Sequence, residues 1–252
     1  MTKTRNLTLG LAGLALLAVA CSGQSTAATT NATTGTSGPG LAEVTWIGDS
    51  TAADQALALT AAFKAGNVAF TSLAEDGGGN VVGPFADQNW QKLPARIASA
   101  KPTVVIYQIT TYDWGTQQQQ QAAYQRLLTT VTGDGATLLF VTMPPIRPDS
   151  FYQPHMGDLA HATAAAQAVA AGSSGHATVL DASAVWGSTY QQVRDGKPDR
   201  SSDGIHPCPQ SAARFTNWLL GRLHWLHPEF TPAPAQDWAN TGWAASSRFQ
   251  GC

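Results

Sequence analysis

Two short runs, TVVIYQIT at 103–110 and ATLLFVTMPP at 136–145, are apolar almost without interruption, and the second stops at two prolines. A strand with no polar side to its pattern must be covered on both faces, which is the condition of the inner strands of a parallel sheet. The segments around them alternate accordingly. AEVTWIG (42–48) reads as a first strand. TAADQALALTAAFKAG follows as a helix, with Ala56, Leu57, Leu59, Thr60 and Phe63 spaced for one buried face and Gly66 at the closing left-handed position. NVAFTSLA is a second strand, and the glycines and proline of EDGGGNVVGP make it a loop. NWQKLPARIASAKP predicts a helix interrupted near Pro94. TQQQQQAAYQRLLTTVTGDG predicts a helix capped by Thr116, its glutamine run being a solvated helix start. A helix over 156–171, a strand at ATVLDAS, an irregular stretch to His206 and a helix over 209–223 complete the series. Strands and helices in this alternation give an α/β fold, a doubly wound parallel sheet with helices on both faces, whose sites form at the carboxyl ends of the strands.

The amino terminus has a different character. Lys3 and Arg5 precede an uncharged apolar run of about fourteen residues, the layout of an export signal over 1–20 and too short to span a bilayer comfortably. The run ends in LAVAC, which resembles the lipobox of bacterial lipoproteins. That resemblance implies cleavage before Cys21, a lipid on its sulfur and amine, and a place on the extracytoplasmic face of the cell membrane. Residues 21–40 are rich in Ser, Thr, Gly and Ala, carry no charge and offer almost nothing to bury, so they read as a flexible tether. The remainder, 41–252, is one ordinary domain's worth of chain.

Charged residues make up 12% of the chain and the net charge is near −2, which leaves no extended basic face for a phosphate backbone and excludes nucleic acid as a partner. An exported chain is oxidised, so Cys208 and Cys252 are expected to pair and to staple an irregular carboxyl-terminal tail, carrying Trp225, Trp238 and Trp243, onto the domain.

The chemistry-bearing residues lie at the two ends of the domain. Gly48-Asp49-Ser50 follows the first strand, and SSDGIHP (201–207) precedes the last helix. A serine hydroxyl is a weak nucleophile until a base takes its proton. Asp203 and His206 on one compact turn can supply that base: the carboxylate fixes the imidazole tautomer while Nε2 accepts the serine proton. Asp49 reads as a hydrogen-bonding residue of the serine turn. His155 and His161 lack the spacing and the companions of a metal site and read as surface residues, and Trp46 reads as core.

With GDS after the first strand, a glycine loop after the second and DGIHP before the last helix, the chain resembles the SGNH or GDSL hydrolase superfamily, over essentially 44–223. The resemblance implies a flavodoxin-like three-layer sandwich on a central five-stranded parallel sheet. It also implies Ser50 as nucleophile, His206 as general base and then acid, Asp203 as its orienting partner, and no metal or organic cofactor. For the oxyanion hole it implies the Ser50 N–H, a glycine N–H from DGGGN, here Gly78 or Gly79, and an asparagine side chain. That asparagine is missing: TTYDW places Tyr112 where it should stand, with Asp113 after it. Either two donors suffice, or Tyr112, Thr111 or Asn80 substitutes. The departure is similar to branches that move O-acyl groups on and off carbohydrate, with Asp113, Trp114 and Arg147 as candidate substrate contacts. The function expected is an extracytoplasmic esterase or O-acyltransferase acting on small acyl esters of envelope carbohydrate or glycolipid. The competing expectation is a binding lipoprotein of the same fold without turnover.

Overall fold

The computed structural model describes residues 41–252; the export signal, Cys21 and the tether lie outside the described residues. Five parallel strands, β1 (Glu43–Ile47), β2 (Ala69–Ser72), β3 (Val104–Gln108), β4 (Thr137–Val141) and β5 (Ala177–Leu180), form one sheet in the order β2-β1-β3-β4-β5. This is the flavodoxin-like order of a doubly wound sheet. Helices α1 (Ser50–Ala65), α2 (Ala86–Ala100), α3 (Gln117–Gly133) and α4 (Met156–Ala171) connect the strands, and α6 (Pro209–Leu226) follows the short α5 (Ser183–Trp186).

The uninterrupted apolar runs have the cause inferred for them. On β3, Val104 and Ile106 join the core under α1 and α6, whereas Val105 and Tyr107 join the core under α2, α3 and α4. On β4, Leu139 and Val141 face the first core, Leu138 and Phe140 the second. Alternate side chains thus feed two cores, each fully buried Val, Leu, Ile or Phe contributing about 1.5–3 kcal/mol.

Three local expectations change. α2 runs unbroken through Pro94, giving up one backbone hydrogen bond while Trp90, Leu93 and Ile97 keep its inner face packed. Gly66 has an ordinary φ of −86°, and Asn67 takes the left-handed turn at φ 53°. The stretch before His206 contains α5 and a small antiparallel ribbon, β6 (Val193–Arg194) with β7 (Lys197–Pro198). Thr116 caps α3 in a reciprocal box with Gln119, as its sequence predicts.

Beyond α6 the chain is irregular, in three single turns of 3-10 helix at Ala235–Asp237, Trp243–Ala245 and Ser247–Phe249. Trp238 and Phe249 are buried in the α1–α6 core, and the Cys208–Cys252 disulfide fixes the end of the tail. Closing a loop with a sequence separation of 44 restricts the unfolded chain by roughly 4 kcal/mol in the chain-entropy account.

Candidate active site

Ser50 occupies the first position of α1, at the carboxyl end of β1. The turn that puts it there is tightly specified. Asp49 is buried and caps the helix: Oδ1 accepts the N–H of Thr51 (3.0 Å) and of Ala52 and the Thr51 hydroxyl (2.7 Å). Its Oδ2 accepts both the N–H and the hydroxyl of Thr111, each at 2.7 Å, which ties the end of β3 to the serine turn. Gly48 has no room for a side chain, because a Cβ there would lie 2.5 Å from that of Ala52.

The second block arrives from the far end of the domain. Asp203 Oδ1 accepts the N–H of Ile205 (2.8 Å) and of His206 (3.1 Å), so the aspartate organises the turn that carries the histidine. Asp203 Oδ2 lies 2.7 Å from His206 Nδ1, and His206 Nε2 lies 2.9 Å from Ser50 Oγ. Partial burial works against ionisation of Asp203, but the Ile205 N–H and the His206 contacts outweigh it and hold the carboxyl below its ordinary range. Asp203 is therefore a carboxylate at neutral pH. It accepts the hydrogen bond of Nδ1–H and leaves the Nε2 lone pair for the hydroxyl proton of Ser50.

Gly79 packs against the same turn. It has φ 77°, and a Cβ on it would fall 1.9 Å from the carbonyl oxygen of Gly48 and 3.3 Å from the Asp49 nitrogen. Gly78 has no such contact; its nearest neighbours would be side-chain atoms of Glu75 and Asn89 at 3.6 and 3.7 Å. Among the described residues, the N–H groups of Ser50 and Gly79 have no hydrogen-bond acceptor.

No protein family profile matches the sequence, and neither does any curated protein. Solved structures do. A carbohydrate esterase of family 3 from Talaromyces cellulolyticus superposes with a TM-score of 0.55 at 15% identity, covering 75% of this chain and 100% of its own. A GDSL-like lipase from Bacteroides thetaiotaomicron matches with 0.54 at 11%, covering 73% and 88%. A variant of an acetyl-xylooligosaccharide esterase from Geobacillus matches with 0.51 at 11%, covering 72% and 94%. The chain has the SGNH hydrolase fold. In that fold Ser50, Asp203 and His206 stand together, and several other residues singled out from sequence do not join them.

Asp113 does not reach the pocket that holds Ser50. It is fully buried, its carboxylate accepting the hydroxyls of Tyr107 (2.7 Å), Tyr124 (2.7 Å) and Thr110 (2.9 Å) and the Thr110 N–H (3.2 Å). Burial outweighs these donors and raises its pKa to about 6. The native state therefore holds this proton to higher pH than the unfolded chain does, so the group's contribution to stability falls as pH rises from about 4 to about 6. Arg147 is exposed and does not line the pocket that holds Ser50. Its guanidinium donates to the Ser202 carbonyl at 2.7 Å and its backbone N–H to Gly204, so it braces the Asp203 turn from outside. Trp114 lies against His155, ring on ring at 3.5 Å, and lines a separate open cleft of about 770 Å³ with Gly83, Pro84 and Arg126. His161 is exposed, and Trp46 is core.

The three side chains that could replace the missing asparagine are all engaged. Thr111 gives its hydroxyl to Asp49. Asn80 is buried and gives its amide to the carbonyls of Val82 and Pro84. Tyr112 is nearly buried, its hydroxyl 3.3 Å from that of Tyr152, and it does not line the pocket that holds Ser50.

That pocket, of about 360 Å³, contains the triad and residues that motif reading passed over: Asp54, Asp76, Ser201, Arg248 and Gln250. Asp54 was within reach of sequence reasoning, since it stands four residues after Ser50 on one helix and thus on one face. For Arg248 the available signal was the disulfide, because Cys208 lies two residues after His206 and brings the tail with it.

Proposed function

We propose that this chain is a serine esterase or O-acyltransferase that works through an acyl-serine intermediate. The observation that carries the reading is the unbroken relay from Asp203 Oδ2 to His206 Nδ1 and from His206 Nε2 to Ser50 Oγ, at 2.7 and 2.9 Å. Ser50 Oγ attacks the ester carbonyl carbon as its proton passes to Nε2, and the ionised Asp203 stabilises the imidazolium so formed. The negative oxygen of the tetrahedral intermediate is met by the N–H groups of Ser50 and Gly79, neither of which has an internal acceptor among the described residues, Gly79 being the loop glycine packed against the serine turn. On collapse, Nε2 returns the proton to the departing alcohol oxygen and the acyl group stays on Ser50. Water or a sugar hydroxyl then repeats the sequence in reverse, giving up its proton to His206 and releasing the acyl group.

Two of the superposed structures are described as a carbohydrate esterase and an acetyl-xylooligosaccharide esterase, which supports an acylated sugar as the substrate class. The signal-like layout of residues 1–20 and the LAVAC sequence support a domain held outside the cytoplasm by a lipid at Cys21, where envelope carbohydrate or glycolipid is an available acyl carrier. Cys21→Ala is then expected to move the protein from the membrane to the soluble fraction; retention of that variant on membranes removes the lipid anchor from the proposal.

The test of the chemistry is covalent labelling. A fluorophosphonate probe should label the purified domain, and Ser50→Ala should abolish the label. An unlabelled wild-type domain, or equal labelling of the variant, defeats the enzyme reading. The binding lipoprotein would then be the better account, since Thr111, Asn80 and Tyr112 all have their side chains engaged elsewhere.

A further inference from the structure

The carboxyl-terminal tail contributes Arg248 and Gln250 to the lining of the Ser50 pocket. Arg248 sits on the last 3-10 turn, which is held in three ways: Phe249 is buried, the Gly251 carbonyl accepts the Ser202 N–H at 3.0 Å, and Cys252 is bonded to Cys208. From there the guanidinium crosses between two walls. Nε donates to Asp54 Oδ1 on α1 at 2.7 Å, Nη1 donates to Asp76 Oδ2 in the loop after β2 at 3.0 Å, and Nη2 donates to Asp76 Oδ1. These bonds use three of the five N–H donors of an arginine. The remaining two have no acceptor among the described residues, and the side chain, 30% solvent-accessible, lines the pocket.

The chemistry of the triad says which half of an ester this pocket receives. The carbonyl oxygen must lie at the Ser50 and Gly79 N–H groups. The alcohol oxygen must lie at His206 Nε2, which protonates it as it leaves. Ser201, Asp203 and His206 line the pocket and Gly79 does not, so the pocket lies on the alcohol side. Every residue lining it is polar. An alkyl or aryl alcohol would strip water from Asp76, Gln250 and Arg248 and return no hydrogen bonds, whereas a polyhydroxylated alcohol returns them.

We propose that Arg248 is a specificity-determining residue. Oriented by Asp54 and Asp76, it offers its free N–H donors to the hydroxyls of a sugar-like alcohol seated beside His206, and the disulfide-locked tail is the device that delivers it. The assignment rests on the serine-hydrolase reading and adds to it the half of the substrate that the tail recognises.

The experiment compares mono-O-acetyl hexoses with p-nitrophenyl acetate, whose alcohol has no free hydroxyl groups to recognise, using the disulfide-intact domain. Arg248→Ala should lower the ratio of kcat/KM for the sugar ester to that for the aryl ester by about tenfold or more, the scale of one or two lost hydrogen bonds from a charged donor, with the loss mainly in KM. Arg248→Ala leaves Asp54 buried and unpaired. The paired variant Asp54→Asn/Arg248→Met removes both charges and should show the same fall in ratio; it decides the question if the single variant does not fold. A ratio within twofold of wild type, whether both activities fall together or neither does, overturns the assignment. So does a wild-type domain that reacts with fluorophosphonate and the aryl ester but has no measurable activity on O-acetyl hexoses. In those cases the serine-hydrolase reading stands. A wild-type domain that fluorophosphonate does not label overturns that reading and this one with it.

Discussion

Asp203→Asn is expected to lower kcat on p-nitrophenyl acetate by about four orders of magnitude while leaving the domain folded. The reason lies in the two separate tasks of the carboxylate. Oδ1 holds the turn by accepting the N–H groups of Ile205 and His206, and an asparagine carbonyl can go on doing that. Oδ2 faces Nδ1 at 2.7 Å and accepts the hydrogen bond of its N–H. An asparagine places an NH2 there, and the imidazole answers by turning Nδ1 into the acceptor and moving its proton to Nε2. His206 then presents an N–H to Ser50 in place of a lone pair, and the hydroxyl proton has nowhere to go. Unfolding in urea should give nearly the wild-type midpoint, which separates a wrong tautomer from a lost fold. A loss of less than tenfold would mean that Asp203 does no more than shape the turn, and the relay would not be the catalytic device.

The strands were legible because their burial is two-sided. A run such as Val104-Val105-Ile106-Tyr107 supplies both cores with alternate residues, and no solvent-facing pattern suits it. Ser50, Asp203 and His206 were legible because each sits at a fixed place in the alternation, at a strand end or ahead of a helix. Side chains whose surroundings come from distant parts of the chain were less legible. Asp113 stands at a strand end, as a site residue should, but the neighbouring Tyr107 and Tyr124 hydroxyls draw it into the core. Arg147 stands at another and turns its guanidinium to the Asp203 turn. Arg248 has no local pattern around it at all. Its position is set by a covalent bond four residues further on and by two carboxylates from distant parts of the chain, and periodicity carries no trace of either.

The glycine pair after β2 gives a comparison that sequence reading left open and geometry makes unequal. Gly79→Ala must place a Cβ 1.9 Å from the Gly48 carbonyl oxygen, at a φ of 77° that an alanine resists. The cost should be roughly 2–4 kcal/mol of stability, from backbone strain and overpacking together. The only way to relieve the contact is to part the Gly79 loop from the Gly48-Asp49-Ser50 turn. That moves both proposed oxyanion donors, so kcat should fall by at least about a hundredfold, the scale of losing one such donor. Gly78→Ala meets only side-chain atoms, at 3.6 Å and beyond, and its φ is not in the left-handed range. It should change stability by less than about 1 kcal/mol, because the loss of unfolded-chain freedom offsets the small crowding. Urea unfolding and burst kinetics on both variants give the comparison. If Gly79→Ala kept a wild-type kcat, the second donor would have to lie elsewhere. If Gly78→Ala were equally damaged, the whole loop would matter as a unit, and the close approach of Gly79 to Gly48 would not be what positions the hole.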